Sequence, residues 1–317
     1  MTVVVRDLPK VELHCHLFGV LTPQMIRAIQ QQMPDFPISA DELADLYPVD
    51  DFDSFWRWWQ PIHRLRMSDP VFFHPILLMY IEQLKAQHVR YAEINIPTIS
   101  VEQVQAMRQL ADAAETPDFQ IEFIAAIGRQ RPLDESRNAV DLAIDLFKEG
   151  LICGFMSVGD ESARPIRDFA AEFDRIYSAG MGIEIHAGEW RGPESVWDAI
   201  NYGHPQRIGH GVHAFEDDKL IAYLLDNNIH IEMCPTSNLL TGSIPDIDHH
   251  PLGRARDLGM SISINTDDPG VFSCDMNSEF RLSAEHFGFT EDDFQQVYKQ
   301  SLAARFQPDL RINPVAF

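Results

Sequence analysis

Eight short β-rich runs alternating with helical patterns predict an α/β fold, a TIM-type (β/α)8 barrel with a helical insertion after the first strand. The runs fall at 10–16, 89–96, 119–127, 152–158, 182–187, 207–211, 230–234 and 260–266. Helical periodicity fills most of the gaps, for example 101–114, 133–149, 166–179 and 217–227. The length of 317 residues suits eight such units, which take about 250 residues, plus one insertion, placed at about 18–88. A doubly wound open sheet would instead require a glycine-rich phosphate turn after an early strand, and His16-Leu17-Phe18-Gly19-Val20 is not one. Pro and Gly are scattered as loop punctuation, with no linker or low-complexity tract, so residues 1–317 read as one domain.

The first run places Glu12, His14 and His16 on one face of a strand, with Val11, Leu13 and Cys15 on the other. Thr22-Pro23 starts a helix, since proline is tolerated at the first helical position. Ser39-Ala40-Asp41-Glu42 has the spacing of a capping box and starts a second. The stretch 53–87, with Phe55, Trp56, Trp58, Trp59, Phe72, Phe73 and Tyr80, has the spacing of long helices broken near Ser68-Asp69-Pro70. Its aromatic stripe reads first as core packing, and second as a lid over a pocket.

Bulk properties exclude several partners. Lys plus Arg number 25 against 48 Asp plus Glu, a net charge of −23, and this field repels nucleic acid polymers. No apolar run approaches the ~18 residues of a membrane span, and the first residues are too short and polar for a secretory signal. The expected location is cytoplasmic, with no membrane partner. Cys15, Cys153, Cys234 and Cys274 lack CxxC spacing and are expected to be reduced thiols, Cys15 in a packing role.

In a parallel barrel, functional groups collect at the carboxyl ends of the strands. His14 and His16 end the first predicted strand, Gly159-Asp160-Glu161 follows the fourth, His186 and Glu189 end and follow the fifth, His210 ends the sixth, and Asp267 and Asp268 end the eighth. The i, i+2 pair His14 and His16 aims two imidazoles at one cation, and His186 and Asp267 complete a His3Asp set. Zn²⁺ is the natural occupant, one per chain, while Fe²⁺ or Mn²⁺ suit the same geometry. A lone His-x-His is a weak signal, and Asp-Pro alone marks a turn; the weight comes from their joint position on one rim. Two adjacent carboxylates after an apolar strand repel each other, and a cation at Asp267 relieves that repulsion. Neither an HExxH helix nor a Gly-x-Ser-x-Gly elbow occurs, and Cys234-Pro235-Thr236-Ser237 lacks the second thiol of a cytidine-type deaminase. The other histidines, including His213, His249 and His250, read as loop or surface residues.

The segments Leu8-Pro9-Lys10-Val11-Glu12-Leu13-His14-Cys15-His16-Leu17, His186-Ala187-Gly188-Glu189, Arg207-Ile208-Gly209-His210-Gly211, Glu232-Met233-Cys234-Pro235-Thr236-Ser237-Asn238 and Asn265-Thr266-Asp267-Asp268-Pro269 closely resemble the motifs of the adenosine/AMP deaminase family of zinc hydrolases, in family order. The resemblance implies that His14, His16, His186 and Asp267 bind zinc, that Glu189 protonates the ring nitrogen beside the attacked carbon, and that His210 holds the attacking hydroxide. It further implies that Asp268 accepts a hydrogen bond from the purine and that Gly159 offers it a backbone amide. The implied activity is hydrolytic deamination of a 6-aminopurine small molecule, first an adenosine-like nucleoside, with a modified 5′ group compatible. The alternatives are free adenine or another aminopurine, and a catalytically silent purine-binding barrel.

Two positions depart from the family pattern. Phe18, two residues after the second histidine, stands where nucleoside-accepting members carry Asp and free-adenine members often carry Glu; this substrate-contacting aromatic favours an apolar 5′ substituent or a non-ribose group. Asn95 replaces an Arg common in the family. A rival barrel hydrolase with two metals bridged by a modified lysine is disfavoured, because 152–158 contains no lysine.

Overall fold

All eight predicted strands form, and they pair in chain order into one parallel sheet. The computed structural model describes residues 3–98, 100–313 and 315. The strands are β1 Lys10–Glu12, β2 Val89–Asn95, β3 Gln120–Gly128, β4 Gly154–Val158, β5 Gly182–Ala187, β6 Arg207–His210, β7 His230–Met233 and β8 Ile262–Ile264. Nearly every strand residue is buried, as expected when helices cover the outer face and side chains fill the interior. Ile94, Phe123, Phe155, Ile183, Ile185 and Ile231 belong to the large hydrophobic core.

The first and last strands are shorter than their apolar patterns suggest, because the closing seam swaps ladder bonds for side chains. Beyond β1 and β8, Asn265 Oδ1 accepts the Leu13 amide at 3.0 Å, and the Glu12 carboxylate accepts the Thr266 amide at 3.1 Å and its hydroxyl at 2.7 Å. Backbone pairing then resumes: the Asp267 amide donates to the His14 carbonyl at 2.9 Å, and the His16 amide to the Asp267 carbonyl at 3.0 Å. His16 also bridges to Asn95 at the end of β2.

Between β1 and β2 lie the helices Pro23–Gln30, Ala40–Ala44, Phe52–Arg66 and Phe73–Ala86. Thr22 caps the first, its hydroxyl accepting the Met25 amide. Ser39 caps the second through the Glu42 amide, but Glu42 does not return the bond of a capping box; its carboxylate takes Arg64 at 2.5 and 2.6 Å instead. Asp51 and Ser54 form a reciprocal capping box at the start of Phe52–Arg66. That helix buries Trp58, Ile62 and Leu65 in the hydrophobic core. No described helix is long and apolar enough to cross a membrane.

The seam makes a testable demand on Asn265, whose amide is fully buried and also donates to Ser263 Oγ at 2.8 Å. Asn265→Ala strands the Leu13 amide in the interior, and denaturant titration should show a loss of about 1–3 kcal/mol of stability.

Candidate active site

A cavity of about 420 Å³ opens at the carboxyl ends of the strands, lined by His16, Phe18, Gly159, His186, Glu189, His210, Asp267 and Asp268 together with aromatic residues of the helix Phe52–Arg66. His14 lies just beneath, fully buried. Every residue singled out from the sequence therefore reaches this one region. The backbone is bent to achieve this: His210 and Asp267 take left-handed conformations, φ 63° and 60°, which side chains seldom adopt and which concentrate at functional positions. Gly209 is required by close approach, since a Cβ there would sit 2.8 Å from the His14 ring and 3.0 Å from the His186 ring.

The rings of His14, His16 and His186 cluster with centroids 4.6–5.5 Å apart. Asp267 Oδ1 lies 3.3 Å from His16 Nε2 and 3.7 Å from His14 Nε2. Nε2 of His14 and Nε2 of His186 are buried without a hydrogen-bond partner among the described residues, an arrangement that costs free energy unless something else engages those lone pairs. The outer atoms, in contrast, are tied down. His14 Nδ1 sits 2.9 Å from Glu184 and 2.8 Å from Glu232, His16 Nδ1 faces Asn95 Oδ1 at 3.3 Å, and Asp267 Oδ2 accepts from Ser237 Oγ at 2.7 Å. Carboxylates behind an imidazole keep its proton on the far nitrogen and turn the lone pair inward. Three nitrogens and one oxygen presented this way fit a divalent transition-metal ion.

The supporting carboxylates belong to a buried ionic layer. Arg207, inaccessible to solvent, approaches Glu93 and Glu232 at 2.5 Å each and Glu184 at 3.6 Å. Burial pushes the Glu232 carboxyl up, to about 7, with Arg207 opposing the rise.

Glu189 sits on the turn after β5, held by a carboxylate that sequence reasoning left unassigned. Glu161 accepts the amides of Gly188 at 2.9 Å, Glu189 at 2.7 Å and Trp190 at 2.9 Å, and also the Ser195 hydroxyl. One acidic side chain thus replaces the missing ladder and fixes where Glu189 points; the Gly-Asp-Glu run after the fourth strand was the available signal. Burial drives the Glu189 pKa well above the ordinary carboxylate value, and Asp267 and Glu161 add to the rise. Its Oε2 lies 3.5 Å from His210 Nε2. Asp268 is likewise pushed well up, by burial and then by the adjacent Asp267 charge. It fits only because residue 19 is glycine: a Cβ on Gly19 would fall 1.7 Å from Asp268 Oδ1.

One expectation needs correction. His250 is buried, not a loop or surface residue: its Nε2 meets Asn238 Oδ1 at 3.1 Å, and Asn238 Nδ2 meets His210 Nδ1 at 3.1 Å. A histidine in a polar, proline-containing stretch carries no sign of burial; only the fold brings 250 behind 210. Trp58 of the aromatic stripe packs in the core, as expected first for that stretch, while Phe55, Trp56 and Trp59 of the same helix line the cavity.

Two measurements follow from this geometry. Glu232→Gln should fold and bind a divalent metal about 10- to 100-fold more weakly, by competition with a chelator, because His14 loses part of its orientation. Gly19→Ala should keep metal affinity but displace Asp268, lowering kcat/KM by about tenfold or more through misplacement.

The family model for adenosine deaminase matches residues 9–314. An aminodeoxyfutalosine deaminase of Streptomyces avermitilis is 32% identical, covering 95% of this chain and 87% of its own. An adenine deaminase of Rhizobium leguminosarum is also 32% identical, covering 94% and 95%. A zinc-containing amidohydrolase structure from Burkholderia ambifaria superposes with a TM-score of 0.83 at 26% identity, over 96% of this chain and 87% of that one. The match over nearly the whole chain, on a barrel whose buried histidines and carboxylates gather at one end, establishes that this protein belongs to the adenosine deaminase family of metal-dependent hydrolases and deaminates adenine-type substrates.

Proposed function

We propose that the chain is a zinc-dependent hydrolytic deaminase of an adenine nucleoside carrying an extended 5′ substituent, yielding the 6-oxo purine and ammonia. His14, His16, His186 and Asp267 would hold one Zn²⁺, consistent with the inward-facing nitrogens and with a β4 that offers no lysine to bridge a second ion. When bound, zinc lowers the pKa of water and so supplies a nucleophile near neutral pH.

The chain's own groups manage the protons. Glu189, held protonated by burial and by its acidic neighbours, donates to N1 of the purine and makes C6 electrophilic. The water oxygen bonds to C6 as the C6–N bond breaks; one water proton leaves with the amino group as ammonia, the other returns to Glu189, and N1 keeps the proton Glu189 gave. Asp268, buried beside Asp267 with its carboxyl pushed up, would hydrogen-bond the purine and orient it in the cavity. Gly159, on the cavity wall, is the residue whose amide faces the base.

Phe18 carries the substrate reading. It is buried, packs edge-on against Phe73 at 5.1 Å, and puts an apolar surface where the resemblance would place a ribose-binding carboxylate. Phe55, Trp56, Trp59 and Trp190 extend that surface, in a cavity whose volume falls in the ~300–1,000 Å³ range of drug-sized ligands. Arg66 and Arg131 line the same cavity with no carboxylate partner among the described residues, although acidic side chains outnumber basic ones almost two to one. An aromatic wall with unpaired guanidinium groups suits a 5′ extension that is itself apolar and ends in an anion. The Streptomyces relative, named for aminodeoxyfutalosine, supports a nucleoside of this kind. Free adenine is the second reading, favoured by the equally similar adenine deaminase.

Ultraviolet assays of amino-group hydrolysis should rank aminodeoxyfutalosine above adenosine and adenosine above adenine in kcat/KM; adenine as the best substrate overturns the nucleoside reading. Phe18→Asp should shift the ratio of kcat/KM toward adenosine by about tenfold or more. Glu189→Gln should retain the metal and lose about 10²- to 10⁴-fold in kcat.

A further inference from the structure

His210 is backed by a chain of buried polar groups whose proton positions follow from one backbone amide. Leu252 N–H, in the first turn of the helix Leu252–Asp257, has no intrahelical acceptor and donates to His250 Nδ1 at 3.1 Å. A backbone amide can only donate, so His250 Nδ1 carries the lone pair and Nε2 carries the hydrogen. Burial, which holds the His250 pKa down at about 3, keeps the ring neutral, and Phe287 packs against it at 5.8 Å. The Nε2–H of His250 then requires an acceptor, so Asn238 turns Oδ1 toward it at 3.1 Å and Nδ2 toward His210 Nδ1 at 3.1 Å. The Asn238 amide donates, so Nδ1 of His210 is an acceptor and the ring hydrogen lies on Nε2, on the side of Glu189. Any other assignment sets two donors face to face among groups that water does not reach, since Asn238 is fully buried and His210 and His250 nearly so.

We propose that His250, acting through Asn238, is a positioning residue that sets the Nε2–H tautomer of His210, making His210 a hydrogen-bond donor to the attacking water oxygen rather than the base that deprotonates it. The device is directional. Its start is a helix N-terminus, its middle an amide with one face for each neighbour, and its end the edge of an imidazole that lines the cavity. The catalytic half of the statement rests on the deaminase reading; the tautomer half does not, and is measured without substrate.

The test is ¹⁵N NMR of the metal-loaded, ¹⁵N-histidine-labelled protein, which separates protonated from unprotonated ring nitrogens, combined with kinetics. The parent should show His210 protonated at Nε2 and bare at Nδ1. His250→Leu should leave Asn238 free to turn, mix the two tautomers, and lower kcat about 10- to 100-fold with KM and metal content nearly unchanged. His250→Gln, which keeps a donor toward Asn238, should restore most of the loss. Asn238→Asp, which replaces the donor facing His210 with an acceptor, should move the hydrogen to Nδ1, and it serves as an independent variant should His250→Leu fold poorly. A parent protonated at Nδ1 overturns the proposal. So does a His250→Leu protein that loses turnover while His210 keeps its parental ¹⁵N signature, since that is the behaviour of a merely structural residue.

Discussion

The closure of the barrel and the assembly of the site are the same set of hydrogen bonds. β1 and β8 are only three residues long, and the ring is completed beyond them by backbone bonds from Asp267 to His14 and from His16 to Asp267. Three of the four residues proposed to hold the metal, His14, His16 and Asp267, therefore supply the main-chain contacts that join the first strand to the last. Their side chains reach a common point because their amides and carbonyls are already committed. The left-handed backbone at Asp267 is tolerable in this setting, where pairing on both sides overdetermines the conformation.

Beneath the seam the interior is ionic where most barrels are apolar. Arg207, Glu93, Glu184 and Glu232 are all withdrawn from water, and each charge finds an opposite one within 2.5–3.6 Å. Such a layer adds little to stability compared with a hydrophobic filling, because desolvation offsets most of the attraction. Its value lies in orientation. Two carboxylates hold the His14 proton on the outer nitrogen, as Asn95 does for His16, whereas the Leu252 amide, acting through two side chains, does the reverse for His210 and leaves the hydrogen on the cavity-facing Nε2. The same carboxylate logic holds the Glu189 turn, where Glu161 gathers three consecutive amides.

The cavity divides its work between polar groups that are scarce and fixed and an aromatic wall that is broad. Burial pushes the carboxyls of Glu189 and Asp268, both on the cavity lining, well above the ordinary carboxylate range. Much of that wall comes from the helix Phe52–Arg66, outside the βα repeat, so it can change without disturbing the residues at the strand ends.

The alternation of strands and helices, the count of eight, and the ligand and acid residues at strand ends were all legible in the sequence, because strand periodicity and local spacing are properties of neighbouring residues. His14 and His16 could be paired from their i, i+2 separation alone. What the chain order hides is contact across the barrel. Glu161 beneath the Glu189 turn, Glu184 and Glu232 behind His14, and His250 behind Asn238 are separated by 12 to more than 200 residues from their partners, and nothing in their local sequence says which distant group each one meets. Sequence by itself determined the barrel and which histidines and carboxylates stand at its strand ends; the tertiary structure decided how they are buried and oriented, since both depend on which distant group lies within hydrogen-bonding distance.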